Sequence, residues 1–101
     1  MTRIGYGCDF HRFGPGRKLM LGGFHVDDCT GLAGHSDADV LLHAVTDAVL
    51  GALAIGDIGT WFPPTESQWK NAASSRMLKM VLESNELQDW QLGNLDATVI
   101  C

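Results

Sequence analysis

Positive charge is scarce in this chain, and so are cysteine, proline and long apolar runs. Its 101 residues carry 7 lysines and arginines against 12 aspartates and glutamates, for a formal net charge of −5. No basic run exists, so the electrostatic footprint that nucleic-acid binding needs is missing. The three cysteines, Cys8, Cys29 and Cys101, are odd in number and lack C-x-x-C spacing. That argues against a disulfide framework and fits a reducing cytoplasm. The longest apolar-rich stretch, residues 40–55, is broken by His43, Thr46 and Asp47, which excludes an ordinary membrane span. Arg3 is followed by Gly5, Gly7 and Asp9 rather than by an apolar run, so no secretory signal is expected. There is no repeat, linker or low-complexity tract, and the composition is 46% hydrophobic and 19% charged. One globular domain over residues 1–101 is expected.

The pattern along the chain is that of an α/β (α+β) domain. Residues 4–10 read as a glycine-containing strand, and residues 13–16 as a Gly/Pro loop. Residues 19–21 and 24–26 flank Gly22-Gly23, which predicts a β-hairpin with a two-residue turn. Ser36 followed by Asp39 resembles a capping pattern. Apolar residues then recur at Val40, Leu41, Ala44, Val45, Ala48 and Val49, so the spacing predicts a helix over 37–54. A second helix is expected to start at Ser74 or Ser75, with Met77, Leu78, Val81 and Leu82 as its buried stripe. Trp61, Phe62 and Trp69 are read as a loop-packing cluster. Leu95, Ala97 and Val99 alternate with Asp96 and Thr98, which predicts a last strand over 95–101. The expected whole is a mixed, mostly antiparallel sheet with helices on one face, truncated after that strand.

Asp9 and His11 form a D-x-H pair. On a strand, the two-residue period turns both side chains to one face. With His43 on the long helix, one carboxylate and two imidazoles could meet. Three such ligands suit a zinc-type ion and leave a fourth position open. The spacing alone does not select this reading, because D-x-H arises by chance and a helical histidine is more often a core or surface residue. Asp39 and Asp47 lie one turn to either side of His43. Asp39 is read as serving the helix N-terminus. Asp47 is read equally as support for His43 or as a solvated carboxylate. His35 and Ser36 precede the helix, whose first N–H groups form an anion site suited to phosphate. That pocket would lie roughly 10 Å from His43 by helix rise. Asp57, in Gly56-Asp57-Ile58-Gly59, reads as a turn aspartate that could also reach sugar hydroxyls. His25 is read as structural. Cys8 faces away from Asp9 and is not counted as a ligand.

Taken in order, these motifs resemble the 2-C-methyl-D-erythritol 2,4-cyclodiphosphate synthase family. The matching segments are Arg3-Ile4-Gly5-Tyr6-Gly7 into Asp9-Phe10-His11, then Ala33-Gly34-His35-Ser36-Asp37 with Asp39. Leu42-His43-Ala44-Val45-Thr46-Asp47-Ala48 follows, then Gly56-Asp57-Ile58-Gly59, Phe62-Pro63-Pro64-Thr65, Ser75-Arg76 and Gly93-Asn94-Leu95-Asp96. The resemblance implies conversion of a diphosphocytidyl methylerythritol 2-phosphate into a cyclic diphosphate with release of CMP. It implies Zn²⁺ on Asp9, His11 and His43, a second Mg²⁺ or Mn²⁺ with the substrate diphosphate, and a cytoplasmic homotrimer. It further places His35 as transition-state stabiliser. Substrate contacts are implied for Asp9, Phe10, His11, His35, Ser36, Asp57, Ile58, Gly59, Phe62, Pro63, Pro64, Thr65 and Glu66. No nucleic-acid or membrane partner is implied.

The chain also departs from the family pattern. It lacks the family's C-terminal part, which carries the cytidine-binding segment and a glutamate for the second metal. Gly34 stands where alanine is more usual, Ala38 where glycine is frequent, and Pro64 where many members have aspartate. Two competing readings follow. One is a zinc-binding remnant without catalysis. The other is an unrelated zinc hydrolase, for which only Asp57 or His35 could serve as a base.

Overall fold

The computed structural model describes residues 1–100. The elements run β1 (Leu19–Leu21), β2 (Phe24–Val26), α1 (Val40–Ala52), α2 (Ile58–Trp61) and α3 (Ser74–Leu82). Short 3-10 turns cover Ser67–Trp69 and Asn85–Leu87. The architecture is α/β, with β1 and β2 antiparallel and Leu19 opposite Val26, Met20 opposite His25, Leu21 opposite Phe24. Gly22 and Gly23 take φ of 63° and 83°, the left-handed turn that matches strand twist. The hairpin is therefore formed as the sequence predicts. Among the described residues no helix is long and apolar enough to cross a membrane.

Two expected strands are not in the ladder. Residues 4–10 and 95–100 have no strand hydrogen bonding, and position 101 of the predicted last strand lies outside the described residues. Outside this two-stranded sheet, an isolated antiparallel bridge pairs Phe13 with Leu32. Alternation prepares a segment to be a strand, but the ladder needs a partner edge. None is supplied to these segments by the described residues.

Two helices build the main core. On α1 the buried positions are His43, Thr46 and Leu50; on α3 they are Ser74, Met77 and Val81. Both sets follow helical spacing, and the two faces meet. The C-terminal half of this seam is apolar: Leu50, Met77 and Val81 pack with Phe62 and Trp69. Phe62 and Trp69 stand edge to face, 4.9 Å between ring centroids. The three aromatics expected to form a loop cluster thus belong to the principal core, with Trp61 packed against its edge. The N-terminal half of the seam is polar and carries His43. Thr46 is buried there because its hydroxyl donates back to the Leu42 carbonyl, 2.7 Å away. Val40, Leu41, Ala44, Val45 and Ala48 are partly buried, as their helical spacing predicts. On α3, Met77 and Val81 are buried as predicted, whereas Leu82 is half exposed.

The start of α1 also differs from expectation. The cap is Asp39, not Ser36, and the helix begins at Val40. The Asp39 carboxylate accepts from Leu42 N at 3.0 Å, and from Gly22 N and Gly23 N at 3.0 and 2.7 Å. One buried side chain therefore caps the helix and fastens the hairpin turn to it.

Positions 34 and 38 are sterically coupled. Ala38 is fully buried with φ 58°, a conformation that favours glycine. A Cβ on Gly34 would lie 2.9 Å from the Ala38 methyl. Methyl groups at both positions would force a shift of the surrounding backbone. Gly34→Ala alone is expected to cost about 1–3 kcal/mol through overpacking. Combined with Ala38→Gly, most of that loss returns, with a coupling of about 1 kcal/mol or more in a denaturant double-mutant cycle. Additive losses would refute the steric coupling.

Candidate metal centre

Asp9 and His11 reach the site on an extended segment that lies across α1. A Cβ on Gly5 or Gly7 would collide with the carbonyl oxygens of Ala48 and Ala44 respectively. Glycine at both positions is what lets the segment touch the helix backbone. The two-residue period holds although no ladder forms: Ile4, Tyr6 and Phe10 are 90%, 83% and 88% exposed, while Asp9 and His11 turn inward and are partly covered.

Asp9, His11 and His43 converge. His11 Nε2 is 2.8 Å from Asp9 Oδ2 and 3.3 Å from His43 Nδ1, and His43 Nδ1 is 3.2 Å from Asp9 Oδ2. A tetrahedral ion with bonds of about 2.0–2.1 Å needs ligand separations of about 3.3–3.4 Å. Two of the three edges match that closely. The protonation pattern also fits. His11 Nδ1 is 2.9 Å from the Ala33 carbonyl, which can only accept, so Nδ1 carries the proton and Nε2 presents a lone pair. His43 is buried, and its Nε2 lies 2.8 Å from Ser74 Oγ and 3.1 Å from Ser36 Oγ, leaving Nδ1 toward the triangle. Three donor atoms this close can share a proton or hold a cation between them, and the donor set suits a divalent one.

Burial alone would raise the Asp9 carboxyl, but in the metal-free site the His43 and His11 rings, when a proton on either is turned toward it, outweigh that and hold it below the usual carboxylate range. The site thus favours the ionised form that a metal requires.

Neither aspartate flanking His43 on α1 touches its ring. Asp39 caps the helix as expected. Asp47 is neither a prop for His43 nor merely solvated: its Oδ1 accepts from Ile58 N at 2.8 Å and ties α2 to α1. The hydroxyl partners of His43 come from Ser36 and from Ser74 on α3. From sequence Ser74 is only a helix start, because nothing local signals that its hydroxyl meets a histidine 31 positions away.

The expected anion pocket is also rearranged. His35 and Ser36 precede Asp39 rather than open the helix, and the first turn of α1 is already served by the Asp39 carboxylate. Ser36 Oγ faces His43 and accepts from Ala38 N at 3.3 Å. Arg17, which sequence reading did not single out, holds this segment by donating to the carbonyls of Gly34 and Ser36 at 2.9 and 2.5 Å. His35 Nε2 donates to the Glu66 carbonyl at 3.0 Å, joining this segment to residues 62–66. Within that loop the Phe62 ring is buried in the core, while Pro64, Thr65 and Glu66 are exposed. Asp57 is exposed and caps α2 in a reciprocal box with Thr60; Ile58 is partly covered and Gly59 exposed. Phe10 is exposed beside the metal pair. His25 lies on the hairpin near Asp27, at 3.5 Å, outside the cluster.

Similarity to known proteins places the chain in a family. The YgbB family matches residues 2–101. A curated relative, the 2-C-methyl-D-erythritol 2,4-cyclodiphosphate synthase of Synechococcus elongatus, is 53% identical over 98 residues, covering 97% of this chain and 61% of its own length. A relative of the same name from Geobacter sulfurreducens is 54% identical over 98 residues, covering 97% of this chain and 62% of its own. The chain thus spans less than two thirds of the length of these relatives. A solved 2C-methyl-D-erythritol-2,4-cyclodiphosphate synthase in a CDP-bound form superposes with a TM-score of 0.71 at 44% identity, over 79% of this chain and 53% of that one. With the match running from residue 2 to residue 101, the chain belongs to the YgbB family, among whose members are the 2-C-methyl-D-erythritol 2,4-cyclodiphosphate synthases it resembles.

Proposed function

We propose that this chain is part of a metal-dependent cyclodiphosphate synthase of non-mevalonate isoprenoid biosynthesis, a phosphorus–oxygen lyase. Its substrate is 4-diphosphocytidyl-2-C-methyl-D-erythritol 2-phosphate, and its products are 2-C-methyl-D-erythritol 2,4-cyclodiphosphate and CMP. The observation that carries this reading is the Asp9–His11–His43 triangle in a chain of this family. The CDP bound to a solved relative supports a cytidine nucleotide as part of the ligand. An oxygen of the 2-phosphate bonds to the β-phosphorus, the bond from that phosphorus to the bridging oxygen breaks, and CMP leaves with the electron pair. The nucleophile is already anionic at neutral pH, so no protein base is needed. Asp37, Asp39 and Asp57 are all engaged with helix-end N–H groups. What remains is positioning and charge neutralisation. Asp9, His11 and His43 would hold a zinc ion, which with a second Mg²⁺ or Mn²⁺ accompanying the substrate diphosphate would supply Lewis-acid polarisation of the phosphoryl oxygens.

The chain's own residues do the rest. His35 is the transition-state hydrogen-bond donor. Ser36 lies beside a phosphate and contributes through its backbone, since its hydroxyl faces His43. Asp57, Ile58 and Gly59 meet the methylerythritol part, and Phe10, Pro63, Pro64, Thr65 and Glu66 border the substrate. Phe62 acts as the buried anchor of that loop. The working unit is a cytoplasmic homotrimer.

The fraction of its relatives' length that the chain spans, 61% for the Synechococcus protein, favours a second reading: zinc binding without turnover. CMP release separates the two. It is measured with zinc and magnesium on this chain, and on this chain continued by the remaining length of that relative. Release by the continued protein supports the synthase reading, with or without release by the chain alone. A continued protein that binds zinc and releases no CMP overturns it.

A further inference from the structure

We propose that Asp37 and Ser74 are positioning residues that select the tautomer of His43, so that its Nδ1 lone pair faces the cation site. This rests on the reading of Asp9, His11 and His43 as a cation site, but not on the reaction catalysed there.

Asp37 Oδ1 is 2.5 Å from Ser74 Oγ, and a carboxylate can only accept, so the one hydroxyl proton of Ser74 is spent on Asp37. Ser74 Oγ then meets His43 Nε2, 2.8 Å away, as an acceptor, and the ring must carry its proton on Nε2. Ser36 Oγ, 3.1 Å from the same nitrogen, does not oppose this, because it can accept as well. On the other side of the ring Asp9 Oδ2 lies 3.2 Å from Nδ1. Without a cation, that carboxylate draws the proton the opposite way. Two carboxylates thus compete for one ring proton, Asp9 directly and Asp37 through a serine. Ser74 is 1% exposed, so water has little access to replace its hydroxyl. Asp37 is held in place from three sides: Oδ2 accepts from Ser74 N at 3.1 Å, Oδ1 from Asp39 N at 3.1 Å, and its own N–H donates to the Ala72 carbonyl at 2.9 Å. Because Ala73, the N-cap of α3, makes no side-chain cap bond, Asp37 also caps α3. A purely structural role is therefore the alternative to exclude.

Ser74→Ala makes the distinction, because it removes the hydroxyl and keeps the cap bond from its backbone N–H. Nitrogen-15 NMR of the metal-free chain, at a pH where the rings are neutral, reads the tautomers directly. The wild type is expected to show His43 protonated on Nε2 and His11 on Nδ1. Ser74→Ala is expected to move His43 toward the Nδ1–H form while His11 stays unchanged. Zinc affinity falls by about 10–100-fold, the range for losing an outer-shell partner. If Ser74→Ala does not fold, Ser74→Cys, which keeps the side-chain size but accepts hydrogen bonds poorly, carries the same expectation. An unchanged His43 tautomer with wild-type zinc affinity in a folded variant overturns the inference and leaves Ser74 a helix-end residue. A wild type that binds no zinc defeats the cation site instead, and the metal-free tautomer shift still tests the role of Ser74.

Discussion

His43→Ala is expected to weaken zinc binding by more than about 100-fold, since loss of an outer-shell partner alone costs about 10–100-fold and this variant removes a ligand. The remaining pair, Asp9 and His11, comes from one extended segment and presents two donors only 2.8 Å apart. His43 is the donor that α1 contributes, so its loss removes the fixed wall against which that pair closes. The variant also leaves the buried hydroxyls of Ser74 and Ser36 without their common partner, at a cost of about 1–3 kcal/mol in folding stability. Zinc affinity by competition with a chelating dye, together with a denaturant titration, measures both effects. His25→Ala is the control, because His25 sits on the exposed hairpin outside the cluster. Wild-type zinc affinity in His43→Ala would remove the metal centre from this protein.

His35→Ala, in this chain continued by the remaining length of a relative, is expected to slow CMP release by about 10²-fold, the scale of losing one transition-state donor. Zinc stays bound, because His35 is not part of the triangle. The structure adds a sharper criterion. His35 Nε2 is bonded to the Glu66 carbonyl, so the histidine also ties the two loops together. If it acts on the transition state, kcat falls. If it only holds residues 62–66 in place, KM rises while kcat is nearly preserved. Loss of zinc in this variant would show that its role has been misassigned.

Local pattern carried far in this chain. Gly22-Gly23 between two short apolar runs was enough for the hairpin, because few residues accept two consecutive left-handed conformations. Helical spacing located α1 and α3. The alternation that turns Asp9 and His11 to one side was legible as well, since it follows from extended backbone whether or not a ladder forms. The order of motifs named the family.

What tertiary structure decided is which partner each polar group takes. The sequence pattern makes Ser36 the cap of α1 and Asp39 its partner three residues on, whereas Asp39 is the cap. Asp39 prevails because the hairpin turn brings two further N–H groups to the same carboxylate. Asp47 lies one turn from His43, yet its carboxylate goes to Ile58 N on α2, because helix spacing fixes proximity and not direction. His43 finds Ser74 across the seam, a pairing that appears only once α3 docks. Residues 4–10 and 95–100 have strand-like sequence without a ladder, because strand hydrogen bonds belong to a pair of segments and neither segment encodes its neighbour. Periodicity is a property of one stretch of chain and can be read from it. Hydrogen-bond partnership depends on distance in space, which the fold alone sets.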